Sequence, residues 1–442
     1  MSEKELLENP VTQDSEDIEE FPLWFKMDNA ATIYPNAQRY GWCTVYRFAF
    51  IMKDEVDPVV LRQAFEDLAP RFPWLFANVK RGLFWHYFVR TDDYDVVEEE
   101  DYYPCRYIHL SETTKPAMRI LYFKKRISIE FFHGLTDGGA AMYFNKTLIA
   151  RYLELKGVKI TRDDTILNID ELPKKYEIED SFIKNYKKMK GLSRKEETAY
   201  HYDAKPIKNY YKIIHGLIPV EDLKSVSKEH GMTITEFLMV AYLYAFYVTA
   251  PKKVNRPIKI SIPVSLRPRF DSKTMRNFSL YSNIGFNPNG RTDITFEEIF
   301  ELVKGKMEKG LATEELEKMI SMNVSDALNP ILRIVPSVLK KPVMKFIFDH
   351  AGENKFTSGM TNLGIVKMPP EMYEYVERVE CLLGSSPNVK LLCAMITYNN
   401  VVNLSFTSDS DKTDVQREFF RVLSQKGVRV RIECNCKEKE GQ

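Results

Sequence analysis

A chain of 442 residues, 44% hydrophobic and 28% charged, has the composition of a globular protein and the length for two domains of ordinary size. Lys and Arg number 63 against 62 Asp and Glu, which argues against a dedicated nucleic-acid binder with its basic excess. Six cysteines are too few for a disulfide scaffold, and no stretch reaches the ~18 apolar residues of a membrane span.

Residues 1–20 are acidic and polar, without the basic start or apolar run of a signal peptide. They are expected to form a disordered tail on a cytoplasmic protein. Within 57–71, Val59, Leu61, Ala64, Phe65 and Leu68 recur at helical spacing, with Asp57 to cap and Pro58 in the first turn. A strand is expected at 84–89. Met118–Phe123 and Arg126–Phe132 read as a hairpin turning at Lys124 and Lys125, with Ile127, Ile129 and Phe131 on one face. The second strand runs directly into His133. A helix is expected to start at Asp137 or Gly138, burying Ala141, Phe144, Leu148, Tyr152 and Leu155 and stopping at Gly157.

Residues 159–206 turn rich in Asp, Glu and Lys and read as a long crossover, partly helical near 181–190. Beyond it the pattern predicts a strand at 209–219 and a helix at 220–229 ended by Gly231. Thr233 and Glu236 have capping-box spacing ahead of an apolar helix over 236–247, expected to be buried on most sides. Strands follow at 258–264 and 278–286, and helices at 296–307 and 313–322. A broken amphipathic stretch spans 331–350. Strands at 364–366, 390–398 and 401–407 and a helix at 414–425 complete the chain. The fold class is α/β (α+β), with two halves that each mix strands and helices. The division is a tail over 1–20, a first half over 21–160, a crossover over 161–206, a second half over 207–430 and a polar tail over 431–442.

Cys43, Cys105, Cys381 and Cys393 read as small core residues, and Cys434 and Cys436 as exposed thiols. His86, His109, His215 and His350 read as structural, His201 and His230 as exposed. Ser385 and Ser386 lack the context of a nucleophile elbow. The basic, amphipathic stretch 338–346 suits contact with a membrane surface, though a solvated helix face is the plainer reading.

The segment Phe132-His133-Gly134-Leu135-Thr136-Asp137-Gly138 concentrates the chemistry. A histidine at a strand end is rigidly placed, and its ordinary pKa near 6.5 suits removing a proton at neutral pH. Asp137 orients the ring or fixes the loop; spacing alone leaves both readings open. Gly138 and Gly139 leave room at a helix start, where the dipole favours negative charge.

This segment resembles the H-x-x-x-D-G motif of the CoA-dependent acyltransferase superfamily. That group includes chloramphenicol acetyltransferases, plant BAHD acyltransferases, peptide-synthetase condensation domains and alcohol acetyltransferases. Ile262-Pro263-Val264-Ser265-Leu266-Arg267, followed by Arg276-Asn277-Phe278, is similar to a strand and Arg-Asn signature of the same group. Thr361-Asn362-Leu363-Gly364 resembles a segment of the alcohol acetyltransferase branch, as, more weakly, does Asp28-Asn29-Ala30-Ala31. Phe132 stands where condensation domains usually carry a second histidine, and no D-F-G-W-G segment occurs, which favours the alcohol acetyltransferase branch over those two.

The resemblance implies two chloramphenicol-acetyltransferase-like halves with an active-site tunnel between them. It implies acyl-CoA, such as acetyl-CoA, as co-substrate, an alcohol or amine as small-molecule acceptor, and neither a metal nor a covalent enzyme intermediate. His133 would be the general base, Asp137 would pair with a base such as Arg267, and Gly138 would keep the tunnel open. Charge developing on the thioester oxygen needs a donor. Asn277, Ser279, Tyr281, Asn283, Thr361 and Asn362 are the candidates for oxyanion or substrate contact. An acyl carrier protein as donor, and a catalytically silent ligand-binding relative, are the competing readings. No nucleic-acid partner is expected.

Overall fold

The computed structural model describes residues 16–38, 44–110, 113–192, 196–207, 209–251, 253–329, 334–337, 339–340, 352–384, 386 and 388–435. Cys43, Cys436, His350, Ser385, most of the tail over 1–20 and most of 331–350 lie outside the described residues.

The first half starts with β1 (Trp24–Lys26) and the single turn α1 (Tyr34–Ala37), then β2 (Val45–Met52) and α2 (Pro58–Asp67). The Asp57 side chain caps α2 by accepting from the N–H groups of Val59 and Val60, at 2.9 and 3.2 Å. Next come β3 (Ala77–Arg81), β4 (His86–Arg90), β5 (Val97–Glu99), β6 (Met118–Phe123) and β7 (Arg126–Phe132). β6 and β7 form the expected hairpin, with Phe123 opposite Arg126 and Lys124 at φ +51° in the two-residue turn. α3 (Gly138–Leu155) follows the motif loop, and Gly157 at φ +88° lies just past its end.

The crossover contains the single turn α4 (Ser181–Lys184), shorter than the helical stretch expected there. Beyond it lie β8 (Lys212–Pro219), α5 (Val220–Glu229), α6 (Ile234–Thr249), β9 (Ile258–Ser265), β10 (Ser279–Phe286), α7 (Phe296–Val303), α8 (Lys306–Gly310) and α9 (Thr313–Ala327). The helix expected over 296–307 breaks at Gly305, whose φ of +73° no helix accommodates. The chain continues through β11 (Ser358–Ile365), β12 (Val376–Leu383), β13 (Leu391–Tyr398), β14 (Val401–Ser408), α10 (Asp414–Gln425) and β15 (Arg431–Cys434).

The described residues form three sheets. A small one has the order β1-β4-β3, a five-stranded one β12-β2-β7-β6-β5, and a seven-stranded one β10-β9-β11-β13-β14-β8-β15. Both large sheets are mixed: β5 runs parallel to β6, and β11 parallel to β9 and β13. β12 belongs in sequence to the second half, yet it pairs antiparallel with β2 and so ties the two halves together.

The two faces of the five-stranded sheet differ. Phe48, Phe50, Ile127, Ile129 and Phe131 are buried toward α2 and α3, and the Phe131 and Phe144 rings meet at 5.9 Å. Alternate positions carry a buried ion network. Arg47 donates to Glu130 at 2.8 Å and to Glu100 at 2.5 Å, and Arg119 pairs with Glu130 at 2.6 Å. Burial alone would raise the Glu130 pKa, but Arg47 and Arg119 outweigh it and hold it low.

In the second half α6 is buried from Phe237 to Leu243 on every side, and Thr233 and Glu236 complete its capping box. Among the described residues no single helix is long and apolar enough to cross a membrane. Cys105, Cys381 and Cys393 are buried, and Cys434 is exposed. His201 and His230 are half-buried rather than exposed, since each ring nitrogen Nδ1 meets a backbone carbonyl, of Asn388 and Val226 respectively.

Candidate active site

β7 delivers His133 to the junction of the two halves. The residue's N–H donates to the Thr44 carbonyl at 2.8 Å, which continues the β2–β7 pairing by one step. A turn follows, closed by Leu135 N–H to the Phe132 carbonyl at 2.9 Å. Gly134 is required there: a Cβ at this position would lie 2.3 Å from the Phe132 ring. Thr136 then crosses to the second half, its hydroxyl donating to the Met275 carbonyl at 2.8 Å, while the Tyr46 hydroxyl donates to the Thr136 carbonyl at 3.0 Å.

Asp137 caps α3 through Oδ1, which accepts from Ala140 N–H at 3.2 Å. Its Oδ2 accepts from Arg267 Nη1 at 3.0 Å and from Phe278 N–H at 2.9 Å. Burial opposes this charge, but Arg267 and the N–H donors prevail and the pKa falls below its ordinary value. Arg267 also donates from Nε and Nη2 to the carbonyls of Thr274 and Arg276, at 2.7 and 2.6 Å. One carboxylate and one guanidinium therefore join the motif loop to the segment between β9 and β10.

The His133 ring is half-buried between aromatics. Tyr34 stacks on it at 4.6 Å with the planes 19° apart, and Tyr46 meets it edge-on at 5.1 Å. Burial lowers the imidazole pKa below 6.5, against the opposing pull of its own backbone carbonyl, Asp137, Asn277 and Asp28. Burial thus favours the neutral form of the ring. Its Nδ1 lies 3.2 Å from Asn277 Oδ1. The Asn277 amide nitrogen donates to Asp28 Oδ2 at 3.2 Å and to the Gly134 carbonyl at 3.3 Å. Both amide hydrogens are thus spent inside the protein, and none remains for an oxyanion.

The structure brings together His133, Asp137, Gly138, Arg267 and Asn277. A Cβ on Gly138 would lie 3.0 Å from Leu363, so the Thr361–Gly364 segment of β11 also reaches the start of α3. Within it Asn362 is engaged at both ends, donating to the Thr235 hydroxyl at 2.9 Å and accepting from Gly364 N–H at 2.8 Å. Asn283 donates to Glu196 at 3.0 Å. Ser279 opens β10, and Thr361 faces Ala394 across β11 and β13. Tyr281 on β10 is 42% exposed and, after burial, Asp28 and Asp137, adds to the raised pKa of Tyr34.

Sequence reasoning missed Tyr34 and Tyr46 as walls of the site and gave Asp28 no part in it. Their only local signal was the Asp28–Ala31 segment; the rest depends on long-range packing. A cleft of about 340 Å³ lies elsewhere, between Val96, Tyr103, Tyr107, Lys115 and Arg119. Among the described residues no group of three or more His, Cys, Asp or Glu side chains is placed to hold a metal ion.

No protein-family model and no curated protein matches the chain by sequence. Solved structures do match by shape. The TRI3 trichothecene 15-O-acetyltransferase from Fusarium sporotrichioides is similar with a TM-score of 0.58 at 10% identity, over 91% of this chain and 94% of that one. F. graminearum TRI101, complexed with coenzyme A and T-2 mycotoxin, is similar with a TM-score of 0.60 at 9% identity, over 92% of this chain and 100% of that one. The epimerization domain from the third module of tyrocidine synthetase B is similar with a TM-score of 0.56 at 10% identity, over 94% and 97%. The chain therefore shares its two-lobed α/β fold with these acetyltransferase and epimerization-domain structures.

Proposed function

We propose that this protein is an acyltransferase that moves an acetyl or other acyl group from acyl-CoA to the hydroxyl, or amine, of a small acceptor. The observation that carries the proposal is one half-buried imidazole fixed at the junction of the two lobes, stacked on Tyr34 with its Nδ1 3.2 Å from Asn277 Oδ1. In this reading His133 Nε2 takes the acceptor proton as the acceptor oxygen attacks the thioester carbonyl. The tetrahedral intermediate collapses with loss of the C–S bond, and the imidazolium returns its proton to the leaving thiolate. No covalent enzyme intermediate forms. The thioester is already activated, so the protein's work is to position the acceptor and remove one proton.

Asp137 holds the loop through Arg267 and Phe278 rather than acting on substrate. Gly138 keeps space beside Leu363 for the pantetheine arm in a tunnel between the lobes. Ser279, Tyr281 and Thr361 remain the candidates for contact with the oxyanion or the acceptor. The neighbour crystallised with coenzyme A and T-2 mycotoxin supports a thioester donor and a small-molecule acceptor. The peptide-synthetase neighbours support a second reading with the same chemistry, in which a carrier protein presents the pantetheine arm. A cytoplasmic location accords with both.

The test is thiol release from acetyl-CoA against a panel of alcohols and amines. Acceptor-dependent release by the wild type identifies the acceptor class. Release only from a carrier-bound thioester selects the second reading, and no release from either donor overturns both.

A further inference from the structure

The general-base reading needs a lone pair on His133 Nε2, and so a proton on Nδ1. We infer that Asp28 is a positioning residue of this site: it orients the Asn277 amide, and the amide holds His133 in the Nδ1–H form. The inference rests on the proposed function, and its geometry is independent of any substrate.

Burial raises the Asp28 pKa, against Arg276 and the donors of Ala31 and Asn277, but every contact its oxygens make is with an N–H group, so the carboxyl accepts at each. Asp28 Oδ2 and the Gly134 carbonyl therefore both demand the NH2 end of Asn277, at 3.2 and 3.3 Å. That choice turns Oδ1 of the amide toward the ring, 3.2 Å from Nδ1. An oxygen there accepts, so Nδ1 must donate, which leaves Nε2 unprotonated in the neutral ring. The flipped amide would set a carbonyl oxygen against two acceptors and present NH2 to the imidazole, favouring the unproductive Nε2–H form.

Asp28 is built to stay in place. It is 1% exposed, and each contact of its carboxylate is with a donor. Oδ1 accepts from Ala31 N–H at 2.7 Å, and Oδ2 faces Asn277 N–H and Arg276 Nε, both at 3.4 Å. Arg276 is anchored in turn, donating to the Lys26 carbonyl at 2.9 Å and lying over the Phe25 ring. The next residue, Asn29, donates its N–H to Asp180 in the crossover at 2.7 Å. The ring's own carbonyl acts in the same sense on His133, so loss of Asp28 should mix the tautomers rather than invert them.

The test is ¹⁵N NMR of histidine-labelled protein, with the His133 signals assigned among the seven histidines by their absence in His133→Gln. Asp28→Asn and Asn277→Leu should each show a mixture of Nδ1–H and Nε2–H forms at pH 7.5, with turnover reduced roughly tenfold. Asn277→Asp should keep the Nδ1–H form, because an acceptor still faces the ring, although it crowds a second carboxylate against Asp28. A role confined to packing would not spare Asn277→Asp. If Asp28→Asn does not fold, the contrast between the two Asn277 variants decides. A single Nδ1–H signal in Asp28→Asn and Asn277→Leu alike overturns the inference. Unchanged turnover in His133→Ala would instead overturn the general-base reading and leave the tautomer result standing.

Discussion

Replacing Asp137 by alanine removes three interactions from a side chain that is 4% exposed. The first turn of α3 loses its cap at Ala140, which costs about 1 kcal/mol. Phe278 keeps a buried N–H without its acceptor, which costs about 1–3 kcal/mol. Arg267 loses a partner at 3.0 Å; breaking a buried pair costs about 3–5 kcal/mol, and the low end applies because two carbonyls still hold the guanidinium. All three act through one carboxylate and overlap, so the net loss expected is about 4 kcal/mol, less than their simple sum of about 5 kcal/mol or more. All four tryptophans precede residue 86, so tryptophan fluorescence in urea reads the first lobe selectively. With a slope of about 2–3 kcal/mol/M, its midpoint should fall by roughly 1.5 M. The Asp137 pKa lies lower in the folded chain than its ordinary 3.8, so its stabilisation is present above that value and lost as pH falls through the folded pKa. The gap between wild type and Asp137→Asn should therefore narrow below about pH 4. An Asp137→Ala protein within about 1 kcal/mol of wild type that still lost a hundredfold in turnover would refute the architectural reading.

Gly134→Ala must displace the Phe132 ring, and should lower the urea midpoint by an amount worth about 1–3 kcal/mol; an unchanged midpoint would show that the loop yields freely. Arg71→Ala leaves Glu177 buried without its bidentate partner at 2.6 and 2.7 Å, and should destabilise by about 3–5 kcal/mol. A loss below about 1 kcal/mol in urea unfolding would mean that the crossover is not clamped there. Because burial lowers the His133 pKa, the acid limb of kcat/KM should lie below pH 6.5; a pH–rate profile with its limb above that value counts against His133 as the base.

Several elements carry their own local signal, although the pattern passes over Gly305, which breaks the helix expected over 296–307, and Leu155, expected to be buried, is exposed. The β6–β7 hairpin alternates, α10 has one apolar stripe, and the Thr233–Glu236 box announces α6, so each carries its signal in consecutive residues. β2 and β12 do not. All but one residue of β2 are buried, on both faces, which erases the period of two. β12 takes its place from β2, more than 300 positions earlier in the chain. The site divides in the same way. His133, Asp137 and Gly138 stand in one motif, and Arg267 in another. Asp28, Tyr34 and Tyr46 matter only because folding carries them to the ring, and Asp28 meets Asn277 across 249 positions. The polar character of Asn277 made it a candidate for an oxyanion, and only its three contacts turn it inward.

The central claim is that His133 acts on the chemical step and not on binding. Acetyl-CoA affinity by calorimetry and acceptor-dependent turnover should be measured on the same preparations of wild type and His133→Ala. The account predicts affinity unchanged within about threefold and turnover reduced about a hundredfold or more. Turnover equal to wild type, or a loss of turnover matched by an equal loss of affinity, would contradict it.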